Sequence, residues 1–110
     1  MNCHKMFHVR FQFEFIDVEP DQYVALEQHG DHQSLPIIGK VIEVAPKHVQ
    51  LQMMQGGYSK QWKPELDDET NDVITRKIHR KYVLCNNVRF TNARRLPIET
   101  KRNLQKLYLN

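Results

Sequence analysis

The chain has 110 residues, of which 40% are hydrophobic and 26% are charged. This length suits a single domain spanning 1–110, and the composition is that of a globular chain rather than a disordered one. The longest apolar runs, such as 35–38, are far too short for a transmembrane helix, and the first residues lack the apolar core of a signal peptide. We therefore expect a cytoplasmic protein with no membrane partner.

Charge is distributed unevenly along the chain. Residues 1–72 carry a net charge of −6 and residues 73–110 carry +9, although the whole chain carries only +3. The two parts could neutralise each other through weak surface ion pairs. Alternatively, the basic part could form a face that binds a polyanion.

The two cysteines, Cys3 and Cys85, are far apart in the sequence. They could form a disulfide, but a reducing compartment favours two free thiols. The sequence therefore predicts unpaired cysteines.

The N-terminal third combines one clear strand with a loop. Residues 7–15 alternate phenylalanine or valine with polar side chains, which is typical of a half-buried β-strand. Residues 18–34 are predicted to be mostly loop, with a short helical turn near 23–27, and to close on a turn at Gly30-Asp31.

A β-hairpin is predicted from strands 39–44 and 49–53, joined by residues 45–48. Pairing Val44 with Val49 also pairs Ile42 with Leu51, and it places these side chains and Met53 on one apolar face. The opposite face would then carry Val41, Glu43, Gln50 and Gln52.

Residues 55–72 contain two adjacent glycines, one proline, the only tryptophan and five carboxylates. This composition predicts a long exposed loop. A helix at about 64–84 is the alternative, because Pro64 followed by acidic and then basic residues suits the helix dipole.

A second hairpin is predicted from strands 76–84 and 88–92, with Asn86-Asn87 as a turn that tolerates positive φ. Its apolar face would carry Val83, Cys85, Val88 and Phe90. Its outer face would place Tyr82 between Arg80 and Arg89.

A C-terminal helix is predicted from Pro97 onward, with Leu104, Leu107 and Tyr108 at helical spacing. Together these elements predict a mainly β fold, either a small barrel or a strongly bent antiparallel sheet, with a C-terminal α-helix. The α+β alternative would contain the helix at about 64–84.

Basic and aromatic residues in the second half of the chain are the candidate binding residues. Arginine can bind phosphate and stack on bases, and aromatic rings can stack on single-stranded nucleic acid. We therefore predict a small non-catalytic domain that binds RNA or another single strand, through Arg76, Arg80, Lys81, Tyr82, Arg89, Arg94, Arg95, Tyr58 and Trp62. For Trp62, packing as a lid over the hydrophobic core is the favoured interpretation, and an anchor for a protein partner is another.

Metal and catalytic sites are weakly indicated. His29, Asp31 and His32 could ligate a metal, but no Cys-x-x-Cys pair accompanies them, so neither a metal nor another cofactor is expected. No nucleophile elbow or glycine-rich phosphate loop is present.

Two other functions remain open from the sequence. The separated charges could serve a protein-interaction or inhibitor module, or drive self-association. A metal-independent ribonuclease could draw its acid, base and phosphate clamp from 79–82.

Overall fold

The computed structural model describes residues 15–27 and 35–108. Six strands and one α-helix form its framework. They are β1 (Tyr23–Leu26), β2 (Ile37–Val44), β3 (His48–Gly57), β4 (Lys60–Pro64), β5 (Thr75–His79), β6 (Val83–Cys85) and α1 (Ile98–Tyr108), with a single 3-10 turn at Arg80–Tyr82. The predicted strand at 7–15 lies outside the described residues except for Phe15.

The strands form one antiparallel sheet in the order β4-β3-β2-β1-β6, and β5 pairs with the same edge of β3 as β4. The mainly β fold with a C-terminal helix is thus confirmed. Among the described residues the sheet remains open, because β6 at one edge does not pair with β4 or β5 at the other. Register shifts occur within three pairs of strands, and irregularities of this kind bend a sheet locally.

The first predicted hairpin is confirmed, but its register contains a bulge that the sequence did not indicate. Val44 pairs with Val49 as predicted, whereas Leu51 pairs with Val41 instead of Ile42. Val41 is consequently buried, and Ile42 is 46% exposed. Without the extra residue, Glu43 would lie on the same buried face of the sheet as Val41. With the bulge, Glu43 lies on the opposite face, where it pairs with Gln50.

Strand β1 replaces the predicted helical turn near 23–27. It lies between β2 and β6, and Val24, Ala25 and Leu26 are all buried. A strand covered on both faces shows no alternation of polar and apolar residues, which removes the pattern that would have identified it.

Two apolar clusters cover the two faces of the sheet. The helix-side cluster contains Ala25, Ile38, Trp62, Cys85, Val88, Leu96 and Leu104. The opposite cluster contains Val18, Val24, Leu26, Val41, Val49, Leu51, Met53 and Val83. Neighbouring residues therefore point into different clusters, as Ala25 and Leu26 do in β1 and as Met54 and Met53 do in β3.

The predicted loop at 55–72 is only partly correct, and the alternative helix at 64–84 is wrong. Residues 60–64 form β4, which follows β3 after a tight turn. Beyond it, the backbone of Met53 bonds to both Glu65 and Ile74, so the loop between them starts and ends against β3. Asp67 accepts two backbone N–H bonds inside this loop.

The second predicted hairpin is also wrong. β5 pairs with β3, and β6 pairs with β1, while 88–92 contains no strand. Val88 and Cys85 are buried as expected, and Asn87 has the positive φ of 56° that the turn prediction required. Strand β5 pairs with β3 and strand β6 pairs with β1, instead of pairing with the segment after Asn87. Arg80, Tyr82 and Arg89 therefore do not share one face.

Helix α1 matches its prediction and packs on the sheet. Leu104 is fully buried, and Leu107 and Tyr108 pack against the helix-side cluster. The Tyr108 hydroxyl donates to the backbone carbonyl of Leu26, and burial raises the pKa of this hydroxyl well above its usual value. The helix end is thereby attached to β1.

Cys85 is buried and disulfide-bonded, which corrects the prediction of free thiols. The other cysteine of the chain, Cys3, lies outside the described residues. Since stable disulfides are typical of oxidising compartments, this bond gives no support to the expected cytoplasmic location.

No helix in the described part of the chain is long and apolar enough to cross a membrane.

The bulge predicts that alanine substitutions at two neighbouring residues differ in their effect on stability. Val41→Ala should lower the free energy of unfolding by about 2 kcal/mol, because it leaves a cavity between buried side chains. Ile42→Ala should change it by less than about 0.5 kcal/mol, because Ile42 points to solvent. Urea denaturation measures both, and a larger loss for Ile42→Ala would show that the strands pair without the bulge.

The position of Trp62 predicts that alanine substitutions at the two adjacent glycines of β3 differ in their effect on stability. A Cβ at Gly56 would lie 2.3 Å from Cδ2 of the Trp62 ring, whereas one at Gly57 would lie 3.6 Å from the flexible Lys60 side chain. Gly56→Ala should therefore destabilise the fold by about 1 to 3 kcal/mol and alter the fluorescence of the only tryptophan. Gly57→Ala is the matched control and should stay within about 0.5 kcal/mol of the parent.

Candidate functional site

A cavity of about 530 Å³ opens on the helix side of the sheet. Its floor is a row of three side chains from adjacent strands, because Tyr23 pairs with Lys40 and Lys40 pairs with Gln52. Tyr23 and Lys40 lie on the same face as the buried pair Ala25 and Ile38, two residues away on β1 and β2. The cavity therefore lies at the border where the helix-side cluster ends.

One wall comes from the segment after β6. The Val88 N–H donates to the Tyr23 carbonyl at 2.9 Å, which holds this segment against β1. The Phe90 ring then meets the Tyr23 ring edge-to-face, with 4.9 Å between centroids. Arg89, between Val88 and Phe90, is exposed and also lines the cavity.

The second wall is β4 with the turn at 91–95. The Trp62 N–H donates to the Arg94 carbonyl at 2.7 Å and couples the turn to β4. Arg94 has a positive φ of 61° and donates its N–H to the Thr91 carbonyl. This tight turn brings an exposed arginine to the edge of the cavity.

The cavity is basic. Three cations contribute to its lining, and none of the ten described lining residues is Asp or Glu; they are Tyr23, Lys40, Gln52, Met54, Trp62, Pro64, Val88, Arg89, Phe90 and Arg94. Lys40 Nζ lies 3.9 Å from Asp21 Oδ1, but the Asp21 side chain is 88% exposed. Such an exposed pair is weak and is easily exchanged for another anion.

The sheet surface continues beyond the cavity as a polar face. Every second residue of β3 and β5 lies on it, and the register pairs Gln50 with Lys77 and His48 with His79. Glu43 joins this face after the bulge, opposite Gln50. We call the surface formed by Tyr23, Lys40, Gln52, Glu43, Gln50, Thr75, Lys77, His48 and His79 the polar sheet face.

The structure separates the residues that the sequence grouped as a binding site. Arg89 and Arg94 lie together at the cavity. Arg76 points to the other side of β5, where it lines a second cavity with Leu26 and Tyr82. The Lys81 ammonium lies 5.1 Å from the centroid of the Tyr82 ring, and neither residue lines the basic cavity.

Two of the predicted phosphate ligands are engaged within the fold. The Arg80 guanidinium donates to the carbonyls of Ala45, Pro46 and Ile16, and it lies 5.5 Å from the Phe15 ring centroid. Arg95 donates to the Ser59 carbonyl at 2.7 Å. Arg80 thus connects three segments, a role that sequence cannot distinguish from phosphate binding.

The predicted stacking residues 58 and 62 are core residues instead of an exposed clamp. Trp62 is 2% exposed, and its indole N–H donates to the Gly57 carbonyl at 3.0 Å. The half-buried Tyr58 ring packs against the same cluster, and burial raises the pKa of its hydroxyl. The core interpretation of Trp62 is the correct one.

The acidic loop does not reach the basic cavity. Glu65, Asp67, Asp68 and Glu69 line a separate depression with Leu66 and Ile74. The cavity is therefore not covered by acidic residues of this loop.

Tyr23, Lys40 and Phe90 are the cavity residues that sequence reasoning missed or placed elsewhere. Tyr23 and Lys40 meet only because β1 pairs with β2, and the prediction had no strand at β1. The available signal was the aromatic and β-branched residues within 23–26, which favour a strand.

The described residues contain no group of three or more His, Cys, Asp or Glu side chains that could hold a metal ion. The candidate metal ligands His29, Asp31 and His32 lie outside these residues.

Comparison of the chain with protein-family models, curated proteins and solved structures found no match. The function must therefore be inferred from the chemistry of the basic cavity and of the polar sheet face.

Proposed function

We propose that this protein is a small non-catalytic domain that binds single-stranded nucleic acid, RNA or DNA, in the basic cavity and along the polar sheet face. One observation carries the proposal: the cavity combines three cations and three aromatic side chains, and its described lining contains no carboxylate. Phosphate, sugar and base each find a chemical partner in such a site.

The cations suit phosphodiesters. Arg89 and Arg94 are exposed at the rim, on segments that backbone hydrogen bonds attach to β1 and β4. A guanidinium can bind two phosphate oxygens at once, and Lys40 adds a point charge on the floor. Attachment to the sheet limits the conformational freedom that these arginine backbones lose on binding.

The aromatic rings suit a base. Tyr23 and Phe90 are only partly buried and line a cavity with the volume of a small-ligand site. The edge-to-face contact between them fixes both rings in position. A base that has left its stack could bind against them, which favours a single strand over a duplex.

The helix is poorly placed for reading duplex DNA. Leu104 and Tyr108 attach α1 to the sheet, and the cations at the cavity come from β2 and from the segment 89–94. Groove-reading domains instead present base-contacting side chains on an exposed helix or ribbon. The arrangement here resembles a sheet surface that holds an extended strand.

Binding should depend on charge at the cavity. A labelled oligouridylate should bind more tightly at low salt, and Lys40→Ala combined with Arg89→Ala should weaken binding by about tenfold or more and flatten the salt dependence. Arg76→Ala, which removes an exposed arginine from the other side of β5, is the matched control and should stay within about twofold. Fluorescence anisotropy at two salt concentrations measures the affinity of both variants. Equal losses of affinity in the two would place the site elsewhere.

Binding should also depend on the aromatic ring at the cavity floor. Tyr23→Leu should weaken binding by about 1 to 3 kcal/mol, because it removes a stacking surface. Tyr82→Leu removes a half-buried tyrosine that lines a different cavity and should leave binding unchanged. Thermal unfolding of both variants controls for stability, and gel analysis of the oligonucleotide in EDTA controls for cleavage.

A further inference from the structure

Two histidines meet at the far end of the polar sheet face. His48 in β3 pairs with His79 in β5, and their ring centroids are 5.2 Å apart at an interplanar angle of 63°. The basic cavity lies farther along the same face, at Gln52. The four residue steps from 48 to 52 span about 13 Å of strand, so one extended oligonucleotide could contact both places.

The groups around the pair are mainly basic. Lys47 comes from the loop before β3, Lys81 from the 3-10 turn, and Lys77 from β5 on the same face. Among the described residues, Glu43 in β2 supplies a carboxylate at this end, where it lines a shallow depression with His48 and Lys77.

An apolar side chain and an arginine complete the surroundings. The Phe15 ring packs edge-on against His79, with 5.4 Å between centroids. The Arg80 guanidinium lies over that same ring and donates to backbone carbonyls, so it adds a further positive charge near the pair.

The hydrogen bonding of His79 determines what its ring can offer. The Lys81 N–H donates to Nδ1 of His79 at 3.1 Å, so the neutral ring carries its proton on Nε2 and is a hydrogen-bond donor there. Partial burial, followed by the positive charges of His48, Lys81 and Lys47, lowers the pKa of His79. His79 is thus poor in protons until an anion compensates the surrounding positive charge.

We propose that a phosphodiester of the bound strand contacts the His48–His79 pair, so that binding is accompanied by proton uptake and single-stranded nucleic acid binds more tightly as the pH falls. This inference rests on the proposed function and adds to it a second contact and a regulation by pH. The sign follows from linkage: an anion stabilises the protonated pair, which raises its pKa, and a ligand that promotes protonation binds best at low pH.

An oligouridylate of about 10 nucleotides without terminal phosphates is the suitable probe. Its phosphodiesters and bases do not titrate between about pH 5.5 and pH 8, so any pH dependence comes from the protein. We expect binding about tenfold tighter at the lower pH, the effect of one charge-assisted contact. The dinucleotide uridylyl-uridine can occupy only the cavity and should show little pH dependence.

The variant pair His48→Gln with His79→Gln should remove the pH dependence, so that its affinities near pH 5.5 and pH 8 are equal. The matched control is His29→Gln with His32→Gln, which alters the same number of histidines outside the described residues and should retain the pH dependence. A variant of 48 and 79 that still binds more tightly at low pH would overturn the inference, as would a parent protein that binds equally at both pH values.

Nuclear magnetic resonance titration of the imidazoles in the unaltered protein tests the inference without a substitution. Adding the oligouridylate should raise the pKa of His48 or His79, and unchanged values in the saturated complex would overturn the inference while the proposed function stands. If no oligonucleotide binds at low salt at any pH, the proposed function fails and the inference fails with it.

Discussion

The packing of Trp62 on Gly56 is the interaction on which the helix side of this protein depends. The ring lies where a Cβ of residue 56 would be, and only glycine allows a strand and an indole to approach so closely. Trp62 also binds the Gly57 carbonyl through its side chain and the Arg94 carbonyl through its backbone. One residue therefore fills the core, holds β4 on β3, and positions the turn at the cavity rim.

The bulge in β2 has a comparable effect on the polar sheet face. Before the bulge, β2 alternates regularly, and Ile38 and Val41 enter opposite clusters. Beyond it, the extra residue moves Glu43 away from the buried face and toward Gln50 and Lys77. A single additional residue thus decides which side chains of β2 can meet a ligand and which stabilise the core.

The basic residues divide into two groups with different roles. Arg80 and Arg95 donate to backbone carbonyls and hold segments together, whereas Arg89 and Arg94 lie at the rim of a cavity. Both groups contribute equally to the net charge of the C-terminal third. Charge along the sequence therefore does not distinguish the arginines that hold the fold together from those that lie exposed at the cavity.

The sequence by itself determined the local features: the strongly patterned hairpin of β2 and β3, the helix after Pro97, the mainly β class and the concentration of positive charge after residue 72. Each of these depends on periodicity or composition within a short stretch. Tertiary structure alone decided the rest. The polarity of β1 shows no alternation because both of its faces are covered, and the partners of β5 and β6 lie far away in the sequence. The cavity unites Tyr23, Lys40 and Arg89 from three such distant segments, so its chemistry exists only once the sheet has assembled.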